Sequence, residues 1–136
     1  MEARARGVHH VGIAVADLDE AVATYTSLFG AEVELRATVA EQGLEAVGLR
    51  LGEGRVELLS PLADDSPVGK FLAKRGPGMH HVAYEVSDIR AALAELKAGG
   101  VELVDEEPRH GVFGHEIAFL HPDAVHGVLT EVVAGG

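Results

Sequence analysis

The sequence predicts an α+β fold built from two tandem βαβββ modules, and three observations predict it. The stretch from His9 to Ala21 returns from His80 to Ala92 at a constant offset of 71, with seven of thirteen positions identical or exchanged between Leu and Ile. Each copy opens on a period-2 apolar run that passes through an Asp into a helical pattern, which is the signature of a strand feeding a capped helix. Each half then closes on an apolar run with one acid at its centre, Glu57 in the first and Glu131 in the second. A repeat of this length is read before any single element, because each copy is one supersecondary unit.

Taken in order, the first strand leads into a helix over residues 17–28, which buries Leu18, Ala21, Val22, Tyr25 and Leu28 and stops at Gly30. Three β-like segments follow at 32–39, 44–51 and 55–60. A connector over 61–79 holds a short helix, with Ser66 as its N-cap and Pro67 at its first position, and Pro77-Gly78 ends it. The second copy repeats the order: strand, helix over 88–98 burying Ile89, Ala92, Leu93 and Leu96, a stop at Gly99-Gly100, then strands at 101–106, 116–120 and 127–133. Residues 1–136 thus form one domain, with module 1 at about 8–60 and module 2 at about 80–133.

Composition narrows the chemistry. Apolar residues make up 47% of the chain and aromatics only 4%, so Val, Leu and Ala fill the interior. With no Cys, any metal binds through His and carboxylates. The formal net charge of −11 argues against nucleic acid as a partner, since displacing counterions from phosphates needs a basic surface. No apolar run approaches the ~20 residues of a membrane span, and the N-terminus lacks a secretory stretch, so the expectation is a cytoplasmic protein with no membrane partner. Five of the eleven basic residues, Arg50, Arg55, Lys70, Lys74 and Arg75, fall within 26 residues; they form either a positive rim for an anionic small molecule or ordinary solvated side chains.

Strand alternation turns Val11, Ile13 and Val15 toward the helices, as it does Val82, Tyr84 and Val86. His10 and His81 then face the other way, followed on their own face by small residues. Glu57 sits between Val56 and Leu58, and Glu131 between Thr130 and Val132, where a carboxylate is costly unless paired or coordinated. Together His10, Glu57, His81 and Glu131 make a set of two imidazoles and two carboxylates, suited to Co(II), Ni(II), Zn(II) or Mn(II). By the same alternation His9 and His80 point to the helix side as structural residues, while His110, His115 and His126 lie near loops and face solvent.

Tandem βαβββ modules with a metal ligand on the first and last strand of each resemble the vicinal oxygen chelate (glyoxalase/bleomycin resistance/dioxygenase) superfamily, whose sheets pair around a metal-containing cavity. Within it, His10-Val-Gly-Ile-Ala-Val, Glu41-Gln-Gly43, Glu57-Leu-Leu-Ser-Pro-Leu62, Asp65-Ser-Pro-Val-Gly-Lys-Phe-Leu72, Gly78-Met-His-His-Val-Ala83, Phe119-Leu-His-Pro122 and Gly127-Val-Leu-Thr-Glu131 resemble the methylmalonyl-CoA epimerase family. The resemblance implies one divalent cation, preferably Co(II) with Ni(II), Mn(II) or Zn(II) as alternatives, an acyl-CoA thioester substrate and a homodimer. It also implies exchange of the α-proton through an enolate, with bases for both faces. Glu131 is one candidate base. Some family members carry a Glu three residues after the Gly of Glu-Gln-Gly, where this chain has Ala46; Glu45 is the neighbouring acid and becomes the second candidate provided a bulge turns it inward, the alternative being a solvated strand-end Glu with a water serving the second face. A glyoxalase I-type lyase shares the ligand set, and a non-catalytic small-molecule-binding protein shares the fold.

Overall fold

The computed structural model describes residues 1–134. It contains two compact units, one of Val11–His80 and one of Met1–His10 with the chain from His81 on. Strand β1 (Gly7–Ala14) passes from one unit to the other between His10 and Val11, and β5 (Gly78–Val86) does so between His80 and His81.

In the Val11–His80 unit, Asp17 starts helix α1 (Leu18–Phe29) by accepting from the Glu20 N–H, and Gly30 ends it in the left-handed region at φ 67°. Strands β2 (Glu32–Val39), β3 (Leu44–Leu51) and β4 (Gly54–Pro61) follow as an antiparallel meander, and β1 adds parallel to β4 with Gly12 opposite Glu57. Ile13 and Val15 pack with Leu18, Ala21, Val22, Tyr25, Val47, Leu49 and Leu58, so the apolar stripe of α1 covers the face that alternation assigns to it. Leu28 departs from the expectation. Both it and Phe29 are exposed, because the last turn of α1 overruns the core, and Ala31 beyond Gly30 is the residue that rejoins it. Helix α2 (Pro67–Arg75) is capped by the Ser66 hydroxyl, which accepts from the Gly69 N–H at 3.1 Å.

In the other unit, Asp88 caps helix α3 (Ile89–Ala98), whose Ile89, Ala92 and Leu93 pack on Val86, Ala118, Leu120 and Val132. Strands β6 (Arg109–His110), β7 (Glu116–Leu120) and β8 (Thr130–Ala134) complete a sheet in the order β5-β8-β7-β6, with β8 parallel to β5. The strand expected over 101–106 does not form; only Leu103 bridges Leu120. Val104 and Asp105 both donate their N–H to the single Phe119 carbonyl, and the Asp105 carboxylate accepts the Phe119 N–H at 2.9 Å, so a side chain takes a place in the ladder. Pairing resumes at Arg109, opposite Ile117. The last strand starts at Thr130 rather than 127, because His126 and Gly127 take left-handed conformations at φ 63° and 92° to close a 3₁₀ turn over Pro122–Val125.

Candidate metal centre

Three of the four expected ligands belong to the unit that starts at Met1 and resumes at His81. Register places Glu131 of β8 opposite Ala83 of β5 and opposite Phe119 of β7, so its side chain shares a face with both. His81 lies two residues before Ala83 on that face, and the fully buried Ala83 methyl leaves the space that a larger residue would fill. His10 closes the N-terminal segment. Its Nε2 stands 3.2 Å from His81 Nε2 and 3.6 Å from Glu131 Oε1, while Glu131 Oε2 stands 3.7 Å from His81 Nε2.

All three residues are buried, and one ligand atom from each lies within 4.8 Å of the others. It is the single such group of three or more among the described residues. Bonds of about 2.1 Å from a cation to nitrogen or oxygen separate adjacent donors by roughly 3 Å, so the donor set and its spacing fit a divalent ion. A buried carboxylate held between two imidazoles is costly in an apolar strand without such a partner.

Glu57 is placed by the other unit. It stands on β4, buried, between Gly48 of β3 and Gly12 of β1, two positions with no side chain to crowd it. Burial pushes its carboxyl up to about 8. Glu45 is a correction. The β3–β4 register runs without a shift from Leu44 opposite Pro61 to Leu51 opposite Gly54, so no bulge rotates Glu45. It shares a face with Val47 and Leu49, on the α1 side, where Arg36 Nε donates to it at 3.0 Å while Arg36 also reaches Asp19 of α1. Glu57 occupies the opposite face of that sheet.

Two other histidines differ from expectation. His9 does not turn to a helix: its Nδ1 lies 2.8 Å from His10 Nδ1, and its ring meets Phe113 at 6.1 Å and His115 at 5.5 Å. His115, half-buried, is therefore packed rather than solvent-facing. His80 does meet a helix, its ring 5.0 Å from Phe71 of α2, and burial lowers its pKa. His110 and His126 are exposed, and His121 caps the 3₁₀ turn by accepting the Asp123 N–H. The sequence reading missed Phe113 and Arg109. Phe113 reaches the His10 ring at 5.8 Å; a Phe between Gly111 and Gly114 in a chain so poor in aromatics was the available signal. Arg109 lies over the Phe119 ring, which itself meets His81 at 5.8 Å, and Asp105 holds it through Nε at 3.1 Å. Of the five clustered basic residues, Arg50 and Arg55 are tied to Glu34, Arg75 lies over Phe71, and Lys70 and Lys74 are exposed on α2.

Comparison with known proteins places this geometry. Residues 9–119 match the family model described as the Glyoxalase/Bleomycin resistance protein/Dioxygenase superfamily. The mitochondrial methylmalonyl-CoA epimerase of Bos taurus is 41% identical over 126 residues, which span 92% of this chain and 72% of that protein. This chain belongs to the methylmalonyl-CoA epimerase family. Two solved structures of that epimerase family agree along nearly the whole length. The enzyme from Mycobacterium tuberculosis has a TM-score of 0.94 at 37% identity, covering 100% of this chain and 92% of its own. An epimerase in complex with methylmalonyl-CoA and NH4+ has a TM-score of 0.93 at 40% identity, covering 98% and 96%. The strands and helices of each unit thus follow the epimerase fold, and no helix among the described residues is long and apolar enough to cross a membrane.

Proposed function

We propose that this chain interconverts (2R)- and (2S)-methylmalonyl-CoA, with His10, His81 and Glu131 holding one divalent cation and Glu57 completing the ligand set. The buried His-His-Glu group carries the reading, since a chain of this family that lacked it would retain the fold without the chemistry. Glu57 is included because its carboxylate is buried on β4 and pushed to about 8, a cost that coordination by a cation offsets. Co(II) is the metal we assign, on the family resemblance and the mixed imidazole and carboxylate donors. A divalent cation held by these residues would supply Lewis-acid stabilisation of the charge that develops when the substrate's α-proton leaves.

The chain's own residues do the rest. Glu131 is the base for one face of the α-carbon, its Oε1 3.6 Å from His10 Nε2 and its Oε2 3.7 Å from His81 Nε2. Glu45 is held by Arg36 on the α1 face of its sheet, so we assign proton return on the second face to water. Burial of the three side chains keeps bulk solvent from the site, which makes each charge there act more strongly than it would in water. One domain, a homodimeric assembly and a cytoplasmic place of action belong to the same proposal.

Incubation of the Co(II)-loaded protein with racemic methylmalonyl-CoA in deuterated water, and separately with the hemithioacetal of glutathione, tests it. Deuterium entering the α-position of the first substrate is the expected result. Turnover of the hemithioacetal alone identifies a glyoxalase-type lyase instead, and turnover of neither leaves a binding protein.

A further inference from the structure

We propose that His9 is a positioning residue for the metal centre, which sets the tautomer and the orientation of His10. The inference rests on the reading that His10 is a ligand, and it uses a buried histidine to which the reaction itself gives no part. His9 Nδ1 and His10 Nδ1 are 2.8 Å apart in a buried environment, and the two rings meet edge to face at 77° with centroids 5.1 Å apart. Two neutral imidazole nitrogens at that distance bond only if one of them carries a proton.

His10 decides which. Its Nε2 is the atom turned toward His81 Nε2 and Glu131 Oε1, and a nitrogen that binds a cation must offer a lone pair. The proton of the neutral His10 ring therefore sits on Nδ1, His10 donates, and His9 Nδ1 accepts with its own proton on Nε2. Such an acceptor fixes the ring of a ligand and raises its basicity. His9 is itself held: only 6% exposed, it is packed edge-on against Phe113 and His115, so it cannot swing away from its neighbour. Strand alternation alone conceals the contact, because it gives the direction in which each Cβ leaves the strand and not where two adjacent rings end.

The test compares metal affinity by chelator competition in the wild type, His9→Phe and His9→Asn. His9→Phe keeps the aromatic packing and removes the acceptor; His9→Asn places an amide oxygen near the position of Nδ1. We expect His9→Phe to bind Co(II) roughly 10–100-fold more weakly and His9→Asn to recover most of that loss. Nitrogen-15 spectra of the Zn(II)-loaded wild type give a reading that needs no variant to fold: a protonated Nδ1 on His10, metallated Nε2, and an unprotonated Nδ1 on His9. Wild-type affinity in His9→Phe, or a protonated His9 Nδ1, overturns the inference while leaving the metal centre intact. A wild type that binds no metal overturns the ligand assignment itself.

Discussion

His10 and His81 occupy the same place in the two copies of a repeat, and their Nε2 atoms meet at 3.2 Å. That equivalence is why the sequence could single them out as a pair without coordinates, and the mid-strand acid did the same for Glu131. Glu45 could not be placed so simply, because its role depended on whether one bulge existed, and the register shows none. Replacing His10 or His81 by Ala removes one donor from a small buried set. Co(II) affinity should fall by more than about 100-fold in either variant, measured by chelator competition, with the circular dichroism spectrum of the fold retained. Asp105 makes a separate prediction, of stability. It accepts the Phe119 N–H at 2.9 Å and holds Arg109, so Asp105→Ala leaves both without that acceptor and should cost about 1–3 kcal/mol in urea denaturation.

Among the elements, the helices were the most legible, since each begins at a side chain whose oxygen takes an orphan N–H: Asp17, Ser66 and Asp88. Their loss is correspondingly local. Asp17→Ala, Ser66→Ala and Asp88→Ala should each lower unfolding free energy by about 0.5–2 kcal/mol, read from denaturant midpoints. The strand expected over 101–106 was illegible for a physical reason. Val101, Leu103 and Val104 have the composition of a strand, and only the tertiary contact of Asp105 with Phe119 diverts the backbone from the ladder. Helix α2 shows a constraint of another kind: a Cβ on Gly69 would sit 2.5 Å from the Ala63 and Asp64 carbonyl oxygens, so Gly69→Ala must shift the connector.

For the whole molecule, folding and metal binding share one proton account. The Glu57 carboxyl rises from 4.5 to about 8 on burial, so without metal the folded state holds a proton that the unfolded state has released. Stability from this source is complete below pH 4.5 and is lost as pH rises to about 8. Glu57→Gln should flatten that slope in metal-free protein, checked by denaturation across the range. If Glu57 joins the ligand set as proposed, a cation displaces the same proton, so Co(II) affinity should rise with pH over the interval, and excess Co(II) at about 100 times its Kd should add about 2.7 kcal/mol of stability. X-ray absorption of the Co(II)-loaded protein tests the central claim most directly. One equivalent of Co(II), with two imidazole nitrogens and carboxylate oxygens around it, is the predicted result; substoichiometric metal, or a coordination sphere without imidazole, contradicts it.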